Sequence, residues 1–208
     1  MERQDMTTRR QFIVRLGAFG IALAGLASTG RGARAGDAAT AFIDTLGGQA
    51  ISTLADKSVT DAERESRFRA LFLSAFDVET IGQFVLGRYR RSATPEQIAE
   101  FNRLYAEDVV RTYSRRLSQY AGEKLVTLGS QQQDGEIVVR SQIQSPSGQK
   151  PVAVDWRLSE TSGSYKIVDV VIENLSMRSA QREDFASVMS AGGVDALLAG
   201  LRKKNPAS

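Results

Sequence analysis

The chain has no histidine and no cysteine, so its chemistry has to rest on carboxylates, Lys, Tyr or Ser. The usual general base, the commonest metal ligand and every thiolate mechanism are missing. No H-E-x-x-H, P-loop, dinucleotide fingerprint or G-x-S-x-G occurs, and we expect no cofactor, no metal and no catalytic residue. The acid pairs Glu107-Asp108 and Glu183-Asp184 are adjacent on helical patterns, so they point in different directions and cannot share a proton. Asp169 differs, being the lone acid in the run Ile167 to Ile172. An acid there is either a structural partner for an arginine or backbone group, the reading we favour, or a group with a shifted pKa. Three tyrosines, Tyr105, Tyr113 and Tyr120, share a helical stripe; such amphipathic rings suit a cavity wall or mouth. Arg88, Arg90 and Arg91, with Arg69, form a cationic cluster that could meet phosphate or a partner, although charge runs are usually solvated faces.

These residues need a frame, and the stretch Val152 to Phe185 supplies its centre. Val152, Val154, Trp156 and Leu158 alternate with Ala153, Asp155 and Arg157, the period of a strand with one apolar face. Tyr165 to Glu173 is apolar on both sides, with Val168, Val170 and Ile172 on one and Ile167, Asp169 and Val171 on the other; this pattern predicts a central, covered strand. Two strands precede these, Lys124 to Ser130 and Gly135 to Ser145, parted by the polar turn Gln131 to Asp134. Four consecutive strands joined by short turns make an antiparallel meander.

Helical patterns flank the meander. Phe42, Ile43, Leu46, Ala50, Ile51 and Leu54 recur at three and four, although Gly47 and Gly48 weaken the middle. Thr60 or Asp61 caps a second helix carrying Phe68, Leu71, Phe72 and Phe76. Asp77 caps a third, closed by Gly87. Thr94, Pro95 and Gln97 form a capping box for a long fourth helix with the stripe Ile98, Phe101, Tyr105, Val109, Tyr113, Leu117 and Tyr120. After Asn174 the chain returns to helix, interrupted at Gly192-Gly193. The class is therefore α+β, one domain over residues 37–204, with a sheet of about four strands, N- and C-terminal helices, and a frayed tail at 205–208 in a basic segment that starts at Arg202.

Residues 1–36 read as an export signal. Thr8 to Ile13 resembles a twin-arginine motif, Leu16 to Thr29 is an uncharged, mostly apolar run, and Ala33-Arg34-Ala35 is an A-x-A site. The motif lacks the Lys often found after its apolar pair, so a general secretory route stays open. The mature chain would start near Gly36 or Asp37, in a bacterial periplasm. The charge of +3 (27 basic, 24 acidic residues) is dominated by this segment, whose six arginines and two acids leave the remainder at about −1. Nucleic-acid binding by bulk charge is not supported.

The runs V-D-W-R-L and Y-K-I-V-D-V-V-I-E, then Ser176, Arg182 and Phe185, with FD...I...VLG from Phe76 and T-P-E-Q from Thr94, resemble the MlaC family of periplasmic phospholipid-binding proteins, also called toluene-tolerance proteins. The resemblance spans roughly Arg67 to Leu201. It implies an apolar cavity between a curved antiparallel sheet and helices, filled by lipid acyl chains with the head group near the mouth. It also implies carriage of lipid across the periplasm between an outer-membrane lipoprotein complex and an inner-membrane ABC transporter; one branch of the family is associated with hopanoid lipids. Asn174 stands where a glycine is usual, and Ala180-Gln181 where Asn-Tyr is common, departures that bear on subgroup and ligand more than on fold. Strand parity and the helix stripe then nominate Phe84, Val85, Tyr105, Val109, Tyr113, Val139, Ile143, Val154, Trp156, Val170 and Ile172 as the lipid-binding wall, with Arg88 or Arg91 at the head group or a partner.

Two other classes compete with this reading. A periplasmic adaptor or assembly factor would have a fully packed core and act through its basic helical surface. A lipid-modifying enzyme would use Asp169 with a tyrosine, but the sequence offers no activated nucleophile. Lipid identity, direction of transport and oligomeric state are not legible in the sequence.

Overall fold

A computed structural model of the chain describes residues 29–56, 58–117, 120–161 and 163–205. The twin-arginine-like motif and the apolar run up to residue 28 lie outside the described residues. Helix α1 (Thr29–Ala55) is followed by α2 (Asp61–Ala75), α3 (Val78–Leu86), a 3-10 turn (Gly87–Arg91) and α4 (Pro95–Leu117). Five strands come next: β1 (Lys124–Gln133), β2 (Glu136–Gln144), β3 (Val152–Thr161), β4 (Ser164–Ile172) and β5 (Leu175–Ser176). Helix α5 (Met177–Lys204) follows. The strands form one open, curved antiparallel sheet in the order β1-β2-β3-β4-β5, so the class is α+β and the domain single.

The helix starts are set by side chains that satisfy backbone N–H groups left without intrahelical acceptors. Thr60 accepts from Glu63 N at 3.2 Å and Asp77 from Thr80 N at 2.9 Å. Thr94 and Gln97 cap each other reciprocally, Thr94 N–H donating to Gln97 Oε1 at 2.9 Å and Gln97 N–H to Thr94 Oγ1 at 3.2 Å. The Gly192-Gly193 break is present as a bend inside α5, with Gly193 at φ +66°. Gly47 does not interrupt α1. A Cβ there would stand 2.6 Å from Leu125 Cδ2, so the missing side chain lets α1 lie close on β1.

Several boundaries differ from the sequence reading. The glutamines at 131–133 continue β1, and the turn is Asp134-Gly135, both at positive φ (52° and 82°), a two-residue hairpin geometry that Asp-Gly favours. Tyr120, the last member of the α4 stripe, falls beyond the helix end at Leu117. Strand β4 is not central but fourth of five, next to the two-residue β5. Its outer edge is covered in pieces, by β5 at Val171 and Ile172 and by a parallel bridge from Phe76 to Ile167. The Glu173-Asn174 turn that makes β5 has φ of 47° and 67°, a conformation that asparagine adopts more often than most other non-glycine residues. At the C-terminus the basic segment is not frayed at its start: α5 runs to Lys204, Arg202 pairs with Glu100 at 2.6 Å, and Asn205 is buried with its amide donating to Leu104 O at 3.2 Å.

A bulge in β4 changes the side-chain parity. Arg157 pairs with Asp169 but Leu158 pairs with Ile167, which leaves Val168 as the extra residue. Ile167 thereby joins Val170 and Ile172 on the inner face, opposite Leu158, Trp156 and Val154. Three buried clusters result. Val85, Leu86, Phe101, Leu104, Met189, Leu198 and Leu201 join α3, α4 and α5; Ala39, Ile43, Val139, Leu158 and Ile167 join α1 to the sheet; Phe72, Ala106 and Val110 join α2 to α4.

Candidate functional site

The inner face of the sheet is a ladder of cross-strand rows, since residues paired across neighbouring strands share a face. The lowest row, Ile137, Leu158 and Ile167, is fully covered beneath α1 and the end of α2. Next come Val139, Trp156 and Val170, then Ser141, Val154, Ile172 and Leu175, and finally Ile143 and Val152. Between the middle rows and the helices lies a cavity of about 340 Å3. Leu46 and Ala50 of α1, Phe68, Leu71 and Phe72 of α2, then Phe76, and Ile81 of α3 form part of its wall. Tyr105, Val109 and Tyr113 of α4, Ile143, Val154 and Trp156 of β2 and β3, Val168 to Val170 with Ile172 of β4, and Met177, Arg178 and Gln181 of α5 complete it. The apolar face continues past the cavity to Val152 and Leu175, which are 38% and 57% exposed. It thus has a closed end, a hollow middle and an apolar rim.

Most of the polar lining groups are engaged by their neighbours. Trp156 Nε1–H donates to Ser141 Oγ at 2.9 Å, and Ser141 Oγ donates to Val154 O at 2.7 Å. The indole therefore presents hydrocarbon to the cavity with its N–H satisfied behind the wall. Asp169, buried, accepts from Ser176 Oγ at 2.6 Å and from Arg178 N at 3.1 Å, and its carboxylate lies 3.5 Å from Arg178 Nε. Arg178 also donates to Glu136 Oε1 at 3.2 Å, and Arg157 to Glu136 Oε2 at 3.3 Å, so two cations and two acids balance where β2, β3, β4 and α5 meet. The structural role expected for Asp169 is the one the geometry gives it. Tyr105 is stacked on Phe101 and meets Phe185 edge-on, and its hydroxyl donates to Gln181 Oε1. Burial, reinforced by the nearby Tyr113, pushes the Tyr105 phenol well above its ordinary value, the opposite of an activated base.

The cavity brings together Tyr105, Val109, Tyr113, Ile143, Val154, Trp156, Val170 and Ile172 of the nominated wall. Three nominated residues lie elsewhere. Val85 is sealed in the α3–α4–α5 cluster. Val139 shares the inner face but is covered by α1. Phe84 packs against two guanidinium groups, Arg178 at 4.7 Å and Arg182 at 5.2 Å from its ring centre. Arg88 and Arg91 are exposed in the 3-10 turn and do not line the cavity; Arg88 lies over Tyr89 and donates to its hydroxyl at 3.0 Å. The sequence shows the stripes of α1 and α2 without assigning them to this wall, marks Gln181 only as a departure from the family pattern, and gives no sign of Arg178.

Comparison with known proteins agrees with this geometry. The chain is 27% identical over 127 residues to the intermembrane phospholipid transport system binding protein MlaC of Haemophilus influenzae, covering 59% of each. It is 22% identical over 108 residues to the toluene tolerance protein ttg2D of Pseudomonas putida, covering 52% of this chain and 50% of that one. The chain thus spans between half and three-fifths of the length of these curated relatives. A phospholipid-binding protein from Ralstonia solanacearum, solved in complex with a phospholipid, superposes with a TM-score of 0.71 at 25% identity, over 80% of this chain and 96% of that one. The MlaC protein family model matches residues 45–203, from just before Leu46, the first residue of the cavity wall, to the last turn of α5, and the chain belongs to that family.

Proposed function

We propose that the protein is a periplasmic lipid carrier that takes phospholipid acyl chains into the cavity and leaves the head group at the Val152 and Leu175 rim. The observation that carries this reading is the hollow of about 340 Å3 walled by apolar side chains of both sheet and helices. Packed interiors hold few spaces larger than a water molecule, and this one falls within the ~300–1,000 Å3 range of ligand pockets. An acyl chain of about 16 methylenes at ~0.8 kcal/mol each gains on the order of 10 kcal/mol on leaving water. Unaided release is then slow, and unloading calls for a second apolar site. That is the logic of a shuttle between an outer-membrane lipoprotein complex and an inner-membrane ABC transporter. Arg88 and Arg91, outside the wall, suit contact with such a partner better than with a head group. Export with cleavage near Ala35 belongs to the same proposal.

An adaptor with a solid core has no use for the cavity. Catalysis is disfavoured by the committed hydrogen bonds of Asp169 and the raised pKa of Tyr105. The test is extraction of labelled phospholipid from vesicles by the purified protein and by Val154→Arg and Tyr113→Asp. Folded variants with uptake reduced at least about ten-fold support the reading; full uptake by both contradicts the assigned wall.

A further inference from the structure

Gln181 is the polar lining residue whose capacity is not used up by protein. Its Oε1 accepts from the Tyr105 hydroxyl, while among the described residues nothing accepts from its Nε2. That nitrogen is not sealed off either: the buried, unpartnered side-chain atoms are Arg64 Nε, Asn102 Oδ1 and Asn205 Oδ1. The neighbouring charges do not compete for it. Asp169 is held by Ser176 and Arg178, and Arg178 by Asp169, Glu136 and Val168 O. Tyr105 fixes the amide in place, being wedged between Phe101 and Phe185.

The amide meets the hydroxyl of Tyr105, a residue only 4% exposed, and lines the same cavity as Trp156. Residue Arg178, one turn before it, contacts Asp169, the neighbour of Val170 in the Trp156 row. From Trp156 to the rim residue Val152 is four residues, roughly 13 Å at about 3.3 Å per residue. A group that meets Gln181 therefore belongs to the hydrocarbon part of a lipid held at the rim by its head.

We propose that Gln181 is a specificity-determining residue that selects lipids bearing an oxygen on the hydrocarbon itself, a chain hydroxyl being the simplest case. This rests on the lipid-carrier reading. A plain chain lying against the amide strips water from its N–H groups and returns no acceptor, whereas a hydroxyl replaces that water. A hydroxyl both donates and accepts, so it suits the amide whichever way it is turned. Sites that hold a hydrogen-bonding group of this kind reject analogues that lack it more strongly than apolar pockets reject a missing methylene.

The test uses the purified full chain and vesicles made of equal parts dioleoyl phosphatidylcholine and a phosphatidylcholine whose acyl chains carry a mid-chain hydroxyl. Protein is separated from vesicles, and the two lipids extracted from it are counted by mass analysis. The wild-type protein is expected to carry the hydroxylated lipid in about ten-fold excess over its share in the vesicle. Gln181→Leu and Gln181→Met should bring the ratio to about one or below, and Tyr105→Phe, which frees the amide, should fall between. Because a ratio is read, a general loss of loading cancels. No excess in the wild-type protein overturns the proposal, as does an excess that survives in both Gln181 variants. If the wild-type protein takes up neither lipid, the carrier reading fails with it, a result distinct from loading without preference.

Discussion

Trp156 and Ser141, facing each other diagonally across β3 and β2, are joined by a 2.9 Å hydrogen bond from the indole N–H to the serine hydroxyl, which itself donates to Val154 O at 2.7 Å. This bond lets a tryptophan serve as hydrocarbon wall without exposing a donor to the cavity. Ser141→Ala removes the acceptor and leaves the N–H short of a partner, a loss of about 1–3 kcal/mol. Urea unfolding of the variant should show a lower midpoint at an unchanged slope.

Trp156 is also the single tryptophan of the chain, so intrinsic fluorescence reports on the cavity wall. Lipid that replaces water against the indole should shift its emission to shorter wavelength, saturably with added lipid. Trp156→Phe should abolish the signal, while loading measured by mass analysis persists in that folded variant at a reduced level.

Asp169 binds α5 to the sheet through Ser176 Oγ, Arg178 N and Arg178 Nε. Its side chain is 1% exposed and that of Arg178 17%, so the pair is shielded from solvent. Asp169→Ala leaves the guanidinium without this carboxylate and should cost about 3–5 kcal/mol, with Asp169→Asn costing less because it retains an acceptor for Arg178 N–H. Comparing the two thermal midpoints checks the order.

Tyr105 links stability to alkaline pH. Its pKa in the folded protein lies above the ordinary value of 10.0 because burial disfavours the phenolate. Below that ordinary value both states keep the proton, and the contribution is whole. As pH rises past it the unfolded chain releases the proton while the folded one retains it, so stability falls with increasing pH. Tyr105→Phe should flatten that part of the decline, read as unfolding free energy from pH 9 to 11 in about half-unit steps.

Periodicity made most of the elements legible. The alternation from Val152 to Leu158, the α4 stripe and the caps at Thr60, Asp77 and Thr94 each specify local geometry, and all three caps are present. The β4 bulge was not legible, because a single extra residue at Val168 changes parity without changing composition. Nor could periodicity separate wall from core. Val139 and Trp156 are cross-strand partners on one face, yet α1 covers the first and the cavity meets the second, a difference set by where α1 crosses the sheet. Asp169 was marked as unusual from its apolar neighbours, but its partner Arg178 lies across a turn that gave β5 no apolar run to reveal it. The 3-10 turn arginines stood out in sequence and lie off the wall, whereas Gln181, with no charge to draw notice, faces the cavity.

The proposed carrier function requires that the cavity between sheet and helices hold lipid. Native mass spectrometry of the protein purified from periplasm, followed by organic extraction and mass analysis of what it carries, tests this most directly. A lipid carrier should show a mass increment of about one lipid per chain, lost on delipidation and restored by incubation with phospholipid vesicles. A protein of ligand-free mass that takes up nothing from those vesicles would contradict it and favour an adaptor acting through its surface.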